Sequence, residues 1–181
     1  MLAENIIQMG YMNIVITGGE PTLQYNEVFQ LVTAIKSHYI KTKGRPVATI
    51  SCPECQVEER LPTFYIETNG SIATIDMVLS SPVDHWIISP KDPVSADYWV
   101  RTLKNAPGPV HGKVMLKFVV KTPKDLPEEL GDMVFFVQPM ILPGQDPLQE
   151  YAGLVKDVLA NMKTFPNIVI LPQLHKLIGV K

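Results

Sequence analysis

An α/β fold, with a parallel sheet that is either open or curved into part of a barrel, is what the sequence predicts. Two observations carry it. Short apolar runs rich in β-branched residues alternate with helical segments, and several of those runs end directly on a polar or ionisable group beside Gly or Pro. Alternation of this kind needs crossover connections and hence parallel pairing. In such sheets ligands gather outside the carboxyl ends of the strands.

The elements follow in order. NIVIT (13–17) is a short apolar run that reads as a buried strand, and YNEVFQLVTAIKSHY (25–39) sets Val28, Leu31, Val32 and Ile35 at helical spacing. The stretch 41–62, KTKGRPVATISCPECQVEERLP, is polar, contains proline and is weakly periodic, so it reads as a loop inserted between the first helix and the second strand. Loops of that length inside a compact domain are uncommon and usually either functional or mobile. Further strands are expected at TFYIE (63–67), HWIIS (85–89), VMLKFVV (114–120), MVFFVQ (133–138) and NIVIL (167–171). Helices are expected at 74–80, 95–104 and 147–163. A chain of 181 residues is long enough for a single domain, 1–181, with a sizeable core.

Composition removes several classes of function. An apolar fraction of 46% with 19% charged residues is ordinary globular composition. The net charge is −2 and no dense Lys/Arg block occurs, so the electrostatic footprint of a duplex-binding protein is missing and no nucleic-acid partner is expected. No apolar stretch approaches the ~20 residues needed to cross a bilayer. The opening MLAENIIQMG lacks a basic region followed by a long apolar block, so no secretory signal is read and a cytoplasmic protein is expected.

The strand ends concentrate the chemistry. In TGGEP, Gly18 and Gly19 lack Cβ, so the backbone can turn sharply and be approached closely. Pro21 suits the first turn of a helix, and Glu20 sits between strand end and helix start. Carbonyls and a carboxylate so placed suit a ligand that bears an ammonium group. The plainer reading is a tight βα turn with no ligand. A phosphate site at the helix start is opposed by Glu20, whose charge would repel an anion. The later strand ends are ETNGS, SPK, KFVV, QPM and LPQLHK. Each has a plain reading too: Asn69 and Gly70 make a good turn, Lys91 is a solvated charge, and His175 is a structural imidazole.

Taken together, VITGGEPTLQ, YIETNGS, IISPK, LKFVV, VQPM and LPQLHKLIGV resemble, in order and setting, the 7-carboxy-7-deazaguanine synthase family of radical S-adenosylmethionine enzymes. The resemblance spans nearly all of the chain outside 41–62. It implies a partial (β/α) barrel that cleaves S-adenosylmethionine at a 4Fe–4S cluster. The resulting radical acts on 6-carboxy-5,6,7,8-tetrahydropterin, and a Mg²⁺-assisted ring contraction gives 7-carboxy-7-deazaguanine, a precursor of queuosine. By the same resemblance Gly18, Gly19, Glu20 and Pro21 hold the methionine end of S-adenosylmethionine. Glu67, Thr68, Asn69 and Gly70 bond its methionine or ribose portions, Ser89 and Lys91 match ribose and carboxylate contacts, and Gln138 and Pro139 border the adenosyl group. Thr17, Gln173, His175 and Lys176 belong to the pterin side.

One element departs from the family pattern. The cluster is normally held by a C-x3-C-x2-C loop before the Gly-Gly-Glu-Pro strand, whereas here twelve residues precede Asn13 and none is Cys. The expectation is a chain that begins one βα unit late, inactive alone, with the ligands for cluster and Mg²⁺ absent. The two cysteines, Cys52 and Cys55, lie three positions apart in the insertion, after the cofactor turn instead of before it. They suit half a zinc site, completed by His38, His85, His111 or a second chain, or else remain plain reduced thiols. A non-catalytic module that binds S-adenosylmethionine or pterin is the alternative to the enzyme. An exposed edge at NIVIT would favour a homodimer or aggregation.

Overall fold

The computed structural model describes residues 2–43, 61–106, 108–130, 132–160 and 166–173. It is an α/β protein. Six strands, β1 (Asn13–Ile16), β2 (Thr63–Thr68), β3 (His85–Ile88), β4 (Val114–Val120), β5 (Phe135–Pro139) and β6 (Ile168–Ile170), form a sheet whose order follows the chain. The pairs β1–β2, β4–β5 and β5–β6 are parallel. The helices are α1 (Leu2–Gln8), α2 (Tyr25–Lys43), α3 (Ile75–Ser80), α4 (Pro93–Lys104), α5 (Gly108–His111) and α6 (Pro147–Ala160). By packing, the chain divides into two compact units, one of Met1–Glu67 with Ile72–Trp86, the other of Thr68–Ser71 with Ile87–Lys181.

In the first unit, α2 buries Val32 and Ile35 completely. Val28 and Leu31, expected beside them, are half-buried. Lys41 and Lys43 close the last turn of α2, where cations oppose the negative end of the helix dipole. The helix thus extends into the segment expected to be a loop from 41, and 44–60 lies outside the described residues. Lys36 reaches from α2 to the start of β3. Its Nζ donates to Pro82 O at 2.8 Å and to both oxygens of Asp84 at 2.8 and 2.9 Å. Asp84 in turn accepts the Phe64 N–H at 2.8 Å, which ties the beginnings of β2 and β3 together.

The expectation that 13–17 is a buried strand is corrected: none of the four residues of β1 is buried, and Val15 is 54% exposed. Among the described strands β1 stands at the end of the order with a neighbour on one side, so its apolar composition does not by itself bring burial.

The second unit has a core of regular alternation. Val114, Leu116, Phe118 and Val120 of β4 and Phe135, Val137 and Pro139 of β5 are buried, while the residues between them are half-exposed. The pattern marks one buried face and one partly exposed face. Ala96, Trp99, Val100 and Leu103 of α4 and Leu154 and Val158 of α6 supply buried helix faces. α4 starts two residues earlier than its periodicity suggested. Asp92 caps it through Ser95 N–H at 2.9 Å, and Pro93 fills a first-turn position that needs no donor. β5 starts at Phe135 instead of 133, after Met133 N–H is taken by Leu130 O at 3.0 Å.

Candidate functional site

The carboxyl end of β1 opens into the Gly-Gly turn. Ile16 pairs with Ile66, so Thr17 and Glu67 are the next residues at the same end of the two strands. Thr17 is exposed and Glu67 half-buried. Gly18 has φ +97° and Gly19 φ +56°, conformations that a side chain resists. A Cβ built on either would meet no atom of the described residues within 4 Å. The backbone geometry calls for glycine, and no described residue fills the space beside it.

Glu20 has a definite local task. It is extended, at φ −129° and ψ 98°, and caps the 3₁₀ turn Pro21–Gln24. Its Oε1 accepts the Thr22 N–H at 3.1 Å and also the Thr22 hydroxyl. Pro21 and Thr22 are buried. A carboxylate already satisfies the donors at the start of this turn, which disfavours phosphate there.

In the second unit the next strand ends meet. Ser89 N–H donates to Thr68 O at 2.8 Å, placing the ends of β2 and β3 side by side. Thr68 and Ser89 are both buried, and Lys91 Nζ donates to Ser89 Oγ at 3.2 Å. Asn69 and Gly70 form a tight turn: Thr68 Oγ1 accepts Gly70 N–H at 3.0 Å and Asn69 Oδ1 accepts Ser71 N–H at 2.8 Å. Gly70 is fixed from outside as well, since Trp99 Nε1–H donates to its carbonyl at 2.9 Å. Nothing in the sequence singles out Trp99. No spacing rule links a helix residue to a turn 29 positions earlier.

Farther along, Val120 pairs with Pro139, and Gln138 Nε2 donates to Pro172 O at 3.4 Å, one residue before the half-buried Gln173. A cleft of about 280 Å³ lies beside Lys91, lined also by Pro90, Asp97, Phe118 and Asp125. In the first unit a larger cavity, about 610 Å³, is bounded by His38, Tyr39, Met12 and Pro62. Met12 and Pro62 precede β1 and β2, so that cavity lies at the amino ends of the strands, away from the Gly-Gly turn.

Four predicted site residues, Cys52, Cys55, His175 and Lys176, fall outside the described residues. Of the histidines weighed as zinc partners, His85 stacks on Tyr65 with ring centroids 4.9 Å apart, and His111 is exposed on α5. Among the described residues no group of three His, Cys, Asp or Glu side chains could hold a metal ion. Nor is any described helix long and apolar enough to cross a membrane. No protein-family model matches the chain, and no match to it is found among curated proteins.

Proposed function

We propose that this chain binds S-adenosylmethionine and a carboxypterin, as the binding part of an enzyme resembling 7-carboxy-7-deazaguanine synthase in deazapurine synthesis. The observation that carries the reading is the turn after β1, where Gly18 and Gly19 hold positive φ beside space that no described residue fills. Exposed backbone there suits the amino and carboxylate groups of a methionine moiety, with Glu20 adding negative charge beside the ammonium. The accompanying fold reading is a partial (β/α) barrel of the radical S-adenosylmethionine type. It is supported by a strand order that never reverses, as in barrels, whereas doubly wound sheets reverse at a switch point.

The roles divide by unit. In the first, Gly18, Gly19, Glu20 and Pro21 receive the methionine end, Glu67 contacts the same cofactor, and Thr17 faces the pterin. In the second, Thr68, Asn69, Gly70, Ser89 and Lys91 offer hydroxyl, amide and ammonium groups, Gln138 and Pro139 border the adenosyl group, and Gln173 lies on the pterin side. The donor set for a 4Fe–4S cluster in such enzymes is three thiolates, and the chain has two cysteines. The residues present do not fit that group, so no radical step is assigned to this polypeptide.

Calorimetric titration with S-adenosylmethionine, alongside iron and zinc analysis, tests the reading. Saturable binding without iron is expected, with at least a tenfold loss in Gly19→Val. Absence of binding, or equal affinity in the variant, refutes the Gly-Gly turn as the cofactor site.

A further inference from the structure

The strands of the second unit are free of ionisable side chains with one exception among the described strand residues, Lys117 at the centre of VMLKFVV. Sheet strands in α/β proteins are apolar because a charge there loses hydration unless something compensates it. The alternation shows where this one is directed. Leu116 and Phe118 are buried, and Met115, Lys117 and Val119 are half-buried, so Lys117 projects from the partly exposed face of the sheet.

The register locates it relative to the candidate site. Lys117 pairs with Phe136 and Val119 with Gln138, so Gln138 shares that face on the neighbouring strand, two residues nearer the carboxyl ends. Two residues of strand span about 7 Å, a distance the flexible four-carbon stem of a lysine covers. Lys117 already makes an interaction within the chain, which a ligand anion would join or displace.

We propose that Lys117 is the specificity-determining residue that selects a carboxylate-bearing heterocycle at this face. The inference rests on the pterin-binding reading above and deepens it. A partly desolvated ammonium attracts an anionic ligand and contributes nothing comparable to its neutral counterpart. Discrimination therefore depends on charge, with the shape of the ring system left to other residues.

The test compares two probes that differ only in the carboxylate, 6-carboxypterin and pterin. Equilibrium binding is measured for the wild-type chain, Lys117→Met, which keeps the stem volume, and Lys117→Arg, which keeps the charge. The wild type is expected to bind 6-carboxypterin at least tenfold more tightly than pterin, a preference weakened by 0.5 M salt, lost in Lys117→Met and retained in Lys117→Arg. Pterin affinity should stay within twofold throughout. Binding of both probes with no such preference, or a preference intact in Lys117→Met, overturns the inference and leaves pterin binding standing. If the wild type binds neither probe, the pterin reading falls and the inference with it. Lys117→Gln removes the same charge should Lys117→Met fail to fold.

Discussion

Gly70→Ala is the sharpest probe of how the ETNGS turn is held. Gly70 has φ +76°, and a Cβ there would stand 2.6 Å from both Ile88 Cγ2 and Trp99 Nε1. The left-handed backbone costs roughly 1–2 kcal/mol for a residue with a side chain. Overpacking against a buried Ile and Trp adds roughly 1–3 kcal/mol, because neither neighbour has room to retreat. The total, about 2–5 kcal/mol, corresponds to a melting temperature lower by roughly 5–20 °C for a chain of this size. Gly18→Ala is the control, since its φ of +97° is strained while the space around it is open. It should lose the backbone term alone. Thermal unfolding followed by circular dichroism measures both. If the two variants melt at the same temperature, the packing of Gly70 on Trp99 contributes nothing and the account of this turn is wrong.

Lys36→Met removes the contacts that Lys36 makes to Pro82 and Asp84 from a residue whose side chain is 19% exposed. A loss of about 1–3 kcal/mol in urea unfolding is expected, and less than 0.5 kcal/mol would mean that the clamp is incidental. Asp92, held by the Ser95 hydroxyl and N–H, has its carboxyl below the ordinary value of 3.8. Its stabilisation is therefore present above that pH and is lost as pH falls through the depressed folded value. Asp92→Ala should melt below wild type at pH 7 and approach it near pH 2; a constant gap across the series would reject the cap. Residues 5–19 carry no charge, and Val15 on the edge strand is 54% exposed, so Val15→Lys should reduce self-association seen by light scattering. An unchanged scattering mass at high concentration would count against association through this edge.

The strands were legible in the primary sequence because apolar β-branched runs bounded by Gly and Pro leave few other local choices, and five of the six expected runs agree with the structure to within one residue at each end. Helix limits were less legible where capping intervened: Asp92 and Pro93 start α4 ahead of its first periodic position. The candidate site was legible as a set of strand ends, and parallel pairing brings Thr68 beside Ser89, and Val120 beside Pro139. Side-chain commitments were not. Glu20 reads from the sequence as a carboxylate for a ligand's ammonium or as part of a plain turn, and only the Thr22 contacts reveal that it caps the following turn. The exposure of β1 follows from its edge position, which its own residues cannot specify. Local periodicity encodes which segments become strands and helices because it acts over a few residues. The burial of Trp99 on Gly70 and the partly exposed face that carries Lys117 come from contacts between segments distant in the chain, and these exist only once the units have packed.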